Sequence, residues 1–153
     1  MPNESVDRLV ELLGRVQLKA PLSKKKKLAQ NIFRYVSYLT EQYALVSPPL
    51  WHNFLVNIGI KERGLCFHWS DALYLYLRQY HYDYFSFYLV GANIGEYFLE
   101  HNALLIAAKD ADTIKGGVLI DPWRYSGKLY FSIVEEDKDY KWRRRKKREI
   151  FVP

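Results

Sequence analysis

The chain has a single cysteine, Cys66, in its 153 residues. One cysteine cannot form an internal disulfide bond, so a small scaffold held together by disulfides is excluded. The four histidines and the cysteine also lack the His-x-x-x-His and Cys-x-x-Cys spacings that bind zinc. We therefore predict no metal site and no cofactor.

Long apolar runs are missing as well. No stretch reaches the roughly 18 apolar residues of a membrane-spanning helix. The first residues, Met1-Pro2-Asn3-Glu4-Ser5, lack the basic-then-apolar order of a signal peptide. The sequence as written predicts a cytoplasmic protein without a transmembrane segment. If an export signal had been removed from this sequence, the natural protein would instead be exported.

Hydrophobic residues make up 49% of the sequence and aromatic residues 16%. These values are typical of a folded protein, and the length suits one domain. We predict a single domain over 1–153. It comprises a helical lead-in over 1–47, a core over 48–142 that contains Cys66, and a basic tail over 143–153.

The net charge of +6 comes largely from two clusters, Lys24–Lys27 and Arg143–Arg148. Such runs are usually solvated, but they can also bind nucleic acid, anionic lipid or an acidic protein. Nucleic-acid modules interleave aromatic residues or glycines with the basic ones, and these clusters do not, apart from the flanking Trp142. An acidic protein partner is therefore compatible with the sequence, and a nucleic-acid partner is not expected.

Apolar periodicity predicts helices first and strands afterwards. Three-and-four spacing indicates a helix that Ser5 can cap and that ends near Gln17 to Pro21, and a longer one that Ser23 can cap. Ser47-Pro48-Pro49 ends this helical lead-in, and a third helix is predicted from Cys66 to about Gln79. Strands are predicted in the second half of 80–90, over Tyr97–Ala108, over Val118–Asp121 with Pro122 as the stop, and over Lys128–Val134. Helices followed by consecutive strands are typical of an α+β fold with an antiparallel sheet.

Cys66 follows Gly64 closely and begins a predicted helix with one buried face. The free N–H groups and the positive dipole end of a helix N-terminus favour an anion such as a thiolate, the reactive form of cysteine. A lone cysteine is more often an inert buried hydrophobe. The inert and the reactive interpretation both fit the residues around Cys66 taken alone.

Two further residues favour the reactive interpretation. His101 begins one predicted strand, Asp121 ends the next, and a hairpin centred near Ala111 would place them opposite each other. A thiol nucleophile needs a base to take its proton, and the base needs a third group that fixes its tautomer. The three residues are therefore candidates for a catalytic triad.

The chain order of these elements resembles the transglutaminase-like branch of the papain-like cysteine hydrolases, as a minimal single-domain member. The matching pieces are Gly64-Leu65-Cys66-Phe67-His68-Trp69, Glu100-His101-Asn102-Ala103-Leu104 and Val118-Leu119-Ile120-Asp121-Pro122-Trp123. They lie within Leu50–Val134, about half of the chain. The resemblance implies a papain/transglutaminase-like core, with the N-terminal helices packed on the antiparallel sheet and the nucleophile at a helix N-terminus.

The resemblance further implies Cys66 as nucleophile, His101 as general base and then acid, and Asp121 as the orienting carboxylate. The backbone N–H of Cys66 would form half of an oxyanion hole. Asn57, Asn53 and Trp51 are candidates for the other half, because the donor of the family precedes the cysteine. Trp123 and Arg124 follow Asp121 and Pro122, as a packed aromatic and a solvated cation or as residues of the substrate cleft.

Two functional hypotheses follow. The first is acyl transfer or amide or peptide hydrolysis on a protein or peptide substrate, with cross-linking equally compatible. The alternative is a catalytically inactive member of the same fold that binds an acidic partner through its basic clusters. Rapid alkylation of Cys66 well below pH 8 distinguishes the first hypothesis from the second.

Overall fold

A computed structural model describes residues 3–43, 66–80, 82–96, 100–125 and 127–145. The helices of these ranges are α1 (Asn3–Val16), α2 (Leu22–Tyr43) and α3 (Cys66–Arg78). The strands are β1 (Phe85–Ala92), β2 (His101–Ala108), β3 (Val118–Tyr125), β4 (Lys128–Ile133) and β5 (Arg143–Arg144), and a short 3₁₀ helix spans Val134–Glu136.

The five strands form one sheet in the order β4-β3-β2-β1-β5, and every neighbouring pair is antiparallel. β1 and β2 pair along their whole length, from Phe85 opposite Ala108 to Ala92 opposite His101. The described helices precede the strands in the chain, and α3 packs on the three central ones. The predicted α+β class and antiparallel sheet are therefore confirmed.

The larger core lies between the helices and one face of the sheet, and we call it the helix-side core. The sheet contributes alternate residues such as Leu104, Ile106 and Ile120, as the two-residue period of a strand requires. The helices contribute residues at three-and-four spacing, namely Leu9, Leu13, Leu28, Ile32, Trp69, Leu73 and Leu77, all of which are fully buried.

The opposite face of the sheet has a smaller core, which we call the far-side core. Its β2 residues are Ala103, Leu105 and Ala107, and Leu119 of β3 and Trp142 pack with them. Leu105 lies directly opposite Leu119 in the β2–β3 register. β2 is therefore buried on both faces, and only Ala108 at its end is partly exposed.

The predicted helices are present with shifted starts. α1 begins at Asn3 and α2 at Leu22, so Ser5 and Ser23 lie inside the first turns and are not caps. Pro21 immediately precedes α2, and its carbonyl accepts hydrogen bonds from the N–H groups of Lys24 and Lys25. The lysine run is therefore helical in spite of its unfavourable position at the positive end of the helix dipole.

The strand predictions need three corrections. β3 does not stop at Pro122 but continues to Tyr125, because a register shift between Asp121 and Tyr125 removes the regular pairing that proline would interrupt. β4 ends at Ile133, since Val134 begins the 3₁₀ helix. No strand was predicted in the basic tail over 143–153, yet Arg143 and Arg144 form β5 against Gly91 and Val90.

The described helices include none that combines the length with the apolar character needed to cross a bilayer.

Gly127 in the β3–β4 turn provides a test of how this hairpin packs on α2. Its φ is +97°, and an added Cβ would lie 2.9 Å from Cγ2 of Thr40. Gly116 also has a positive φ, +76°, but no atom within 4 Å of an added Cβ. We expect Gly116→Ala to lower the free energy of unfolding by about 1 kcal/mol and Gly127→Ala by about 2–4 kcal/mol, measured by urea denaturation. Equal losses for the two variants would contradict the contact with Thr40.

Candidate functional site

The candidate site is built around a buried pair, His101 and Asp121. Nε2 of His101 lies 2.7 Å from Oδ2 of Asp121, and the two side chains are 1% and 0% exposed. The β2–β3 register pairs Leu104 with Ile120, so the two residues are diagonal neighbours and do not lie directly opposite each other. An imidazole is long enough to span this offset. The predicted contact between histidine and aspartate is therefore present, with an offset of two residues.

Arg124 binds the same carboxylate. Its Nε lies 3.0 Å from Oδ2 of Asp121, and its backbone N–H donates to Oδ1 at 3.3 Å. An ionised carboxylate only accepts hydrogen bonds, so Nε2 of His101 must be the donor in the pair. In the neutral ring Nδ1 is then the acceptor, which is the tautomer required of a base that takes a thiol proton.

The guanidinium of Arg124 joins Asp121 to a second buried carboxylate, Asp137. Its Nη2 lies 2.6 Å and its Nη1 3.2 Å from the two oxygens of Asp137, and the exposed Asp139 is 3.4 Å away. The indole Nε1 of Trp142 donates to Asp137 at 2.8 Å. Burial alone would raise the pKa of Asp137, but the bonds from Arg124, Trp142 and the Asp139 backbone outweigh it and lower that pKa.

The pKa of Arg124 is shifted in the opposite direction to that of Asp137. Burial alone would lower the pKa of Arg124, but Asp137 and Asp121 outweigh it and raise that pKa, so the guanidinium remains charged. The guanidinium also lies over the ring of Tyr130 at 3.8 Å and the ring of Tyr140 at 4.8 Å. These aromatic faces stabilise the cation where water does not reach it.

Three aromatic rings enclose the imidazole of His101. The ring centroids of Trp123, Tyr140 and Trp142 lie 4.5, 4.8 and 5.3 Å from it. Excluding water strengthens the electrostatic attraction between imidazole and carboxylate, because the local dielectric constant falls. The cluster thus combines a shielded ion-pair network with an aromatic wall.

The pair lies on the far side of the sheet from α3. His101 shares its face with Ala103 and Leu105, which belong to the far-side core, whereas α3 packs in the helix-side core. Trp123 packs in the helix-side core and also contacts His101. Trp123 therefore contacts both cores at the start of β2, next to the imidazole of His101.

The sequence-predicted residues fall into two groups. His101, Asp121 and Trp123 meet as described, and the backbone of Cys66 begins α3 as predicted. The side chain of Cys66 lies outside the described residues, and so do the oxyanion candidates Asn57, Asn53 and Trp51. Of the proposed triad, the structure therefore describes the contact between His101 and Asp121 and the backbone of Cys66 at the start of α3.

Sequence reasoning missed the supporting network. Arg124 was expected as a solvated cation or a cleft residue, but its side chain is only 7% exposed. Asp137, Tyr140 and Trp142 were not singled out. The available signal was two aspartates followed by two aromatic residues immediately before a basic run, a composition that a purely solvated segment does not need.

The described residues offer less for two other kinds of site, a metal site and a surface pocket. They contain no group of three or more His, Cys, Asp or Glu side chains placed to hold a metal ion. A surface depression of about 330 Å³ has six lining residues and includes neither His101 nor Asp121: Arg8, Tyr125, Lys128, Leu129, Tyr130 and Phe131. The buried pair is therefore the stronger candidate for chemistry.

No protein-family model, curated protein or solved structure matches this chain significantly.

The network around Arg124 predicts a large stability difference between two arginine substitutions. Arg124→Met leaves two buried carboxylates without their cation, so we expect a loss of about 3–5 kcal/mol in the free energy of unfolding. Arg15→Met is the matched control, because Arg15 pairs with Glu136 at 3.3 Å while both side chains are 56% exposed. Its expected loss is below about 1 kcal/mol. Similar losses in urea titrations of both variants would contradict a structural role of Arg124.

The lowered pKa of Asp137 predicts a pH effect with a definite sign. A carboxyl whose pKa is lower in the folded state stabilises the fold above its ordinary value of 3.8, and this contribution is lost as the pH falls through the folded-state pKa. Asp137→Asn should therefore be less stable than the parent at pH 7, and the difference should shrink below about pH 4. The measurement is urea denaturation at a series of pH values. A difference that stays constant down to pH 2 would show that Asp137 does not contribute through its charge.

Proposed function

We propose that the protein is a thiol-dependent enzyme that performs acyl transfer or amide or peptide hydrolysis on a protein or peptide substrate. The observation that carries the proposal is the buried bond between His101 and Asp121, 2.7 Å long and shielded by aromatic rings. Such a bond fixes an imidazole in the tautomer that accepts a proton at Nδ1. Cys66 begins α3, and this helix packs on β1, β2 and β3.

The proposed reaction begins with transfer of the Cys66 thiol proton to Nδ1 of His101. The sulfur attacks the carbonyl carbon of a carboxamide or peptide bond, and the charge on the carbonyl oxygen is stabilised by the N–H of Cys66 and a second donor. The candidates for this donor remain Asn57, Asn53 and Trp51. The imidazolium then gives its proton to the leaving amine or ammonia, and a thioester remains.

The thioester is resolved by water in hydrolysis or by an amine in cross-linking. In either case His101 takes a proton from the incoming nucleophile and returns it to the sulfur as the acyl bond breaks. Asp121 keeps the imidazole oriented in both half-reactions and does not itself take the proton. The same three residues therefore support both outcomes.

A second candidate function is a non-catalytic binding module of the same fold. The observation that favours it is the placement of His101, which is 1% exposed and lies on the sheet face opposite α3. In this case the cluster around Arg124 serves stability alone, and the basic clusters bind an acidic partner protein. The two candidates differ in the reactivity of Cys66.

The pH dependence of alkylation tests the proposal. Iodoacetamide should modify Cys66 of the folded protein at pH 6 at least tenfold faster than it modifies free cysteine, because a thiolate paired with an imidazolium persists at this pH. Mass spectrometry locates the adduct, and Cys66→Ala is the control that should remain unlabelled. In Asp121→Asn the rate of Cys66 alkylation at pH 6 should fall at least tenfold, because an amide no longer fixes the tautomer of His101.

Each outcome decides between the two functions, provided that circular dichroism and thermal melting show Asp121→Asn to be folded. A thiol that reacts only in urea, or with the pH profile of free cysteine, rules out the enzyme and supports the binding module. His101→Gln provides a second variant for the case in which Asp121→Asn does not fold.

A further inference from the structure

The corner between α1 and α2 exposes two leucines. Leu18 is 88% exposed and Leu22 is 55% exposed, and Leu18 is the most exposed large apolar side chain in the described ranges. Leucine is normally a core residue, and both helices already bury complete apolar stripes without these two. The fold therefore does not explain why leucine occupies either position.

Lysines lie close to the two leucines in the sequence. Lys19, Lys24, Lys26 and Lys27 are exposed, and among the described residues none of them lies within 4.0 Å of a carboxylate. The chain over residues 12–40 contains no aspartate or glutamate at all. We call Leu18, Lys19, Leu22, Lys24, Lys26 and Lys27 the corner surface. It combines apolar side chains with uncompensated positive charge.

Helix stability does not account for these lysines. The first turn of α2 contains no acidic residue, and lysines there oppose the helix dipole at a cost of roughly 0.3–1 kcal/mol each. Lys25 differs from the others, because it is half-buried and its Nζ lies 3.2 Å from where a Cβ on Gly14 would be. Lys25 thus packs against α1, while the remaining lysines are available to a partner.

We infer that the corner surface binds the anionic surface of a lipid bilayer. Leu18 and Leu22 would enter the boundary between headgroups and acyl chains, and the lysines would contact lipid phosphates and carboxylates. Nucleic acid fits less well, because its backbone is matched by basic and aromatic residues and offers nothing to exposed leucines. The inference does not depend on the proposed chemistry at Cys66.

Sedimentation with vesicles tests the inference on the full chain. The protein should pellet with phosphatidylcholine vesicles that contain phosphatidylserine, and not with pure phosphatidylcholine vesicles. The triple variant Lys24→Gln/Lys26→Gln/Lys27→Gln should lower the partition coefficient by roughly fivefold for each lysine removed. The matched control, Lys109→Gln/Lys115→Gln/Lys138→Gln, removes the same charge from other exposed lysines and should bind almost as the parent does.

Substitution of the two leucines distinguishes binding to a bilayer from binding to a soluble polyanion. Leu18→Ser/Leu22→Ser should reduce vesicle binding several-fold at constant charge, whereas Ile94→Ser, at a side chain that is 48% exposed elsewhere, should not. No pelleting with anionic vesicles at low salt would overturn the inference. Equal losses in the two lysine triples would also overturn it, since net charge alone would then explain binding. Unchanged vesicle binding of the leucine variant would overturn it too, since Leu18 and Leu22 would then not enter the bilayer.

Discussion

The buried guanidinium of Arg124 is the interaction on which the far side of the sheet depends. It bridges Asp121 in β3 and Asp137 after the 3₁₀ helix, at 3.0 Å and 2.6 Å. Two carboxylates without a cation between them would repel each other in a medium that screens poorly. Arg124 therefore ties the strand that orients His101 to the segment that supplies Tyr140 and Trp142.

The imidazole of His101 contacts both a buried carboxylate and aromatic rings. Its Nε2 lies 2.7 Å from Asp121, which Arg124 also binds, and the rings of Trp123, Tyr140 and Trp142 surround it. Because Arg124 holds the carboxylate of Asp121, that carboxylate cannot turn away from the imidazole without breaking the ion pair. The ion pair and the aromatic rings together therefore fix the orientation of the ring.

The sequence predicted the fold class and the pairing of His101 with Asp121, because alternation and strand order are local signals that survive folding. It was wrong about Pro122 as a stop, since the register shift that accommodates this proline depends on how β3 pairs with β4. It missed the roles of Arg124 and Asp137 for a related reason. From the sequence alone, an arginine and an aspartate are expected at the surface, because the tertiary contacts that bury them together leave no local signal. The position of His101 on the sheet face opposite α3 became evident only from the packing of the two cores.

The short strand β5 protects one margin of the sheet. It covers β1 at Val90 and Gly91, and the charged side chains of Arg143 and Arg144 are exposed. A bare strand with unpaired amide groups invites a strand from another molecule, which is a common route to aggregation. With only two residues and two positive charges, β5 offers a poor template for such growth. A stretch of sequence that is typical of a solvated basic tail thereby makes this edge of the sheet a poor place for neighbouring copies of the protein to join.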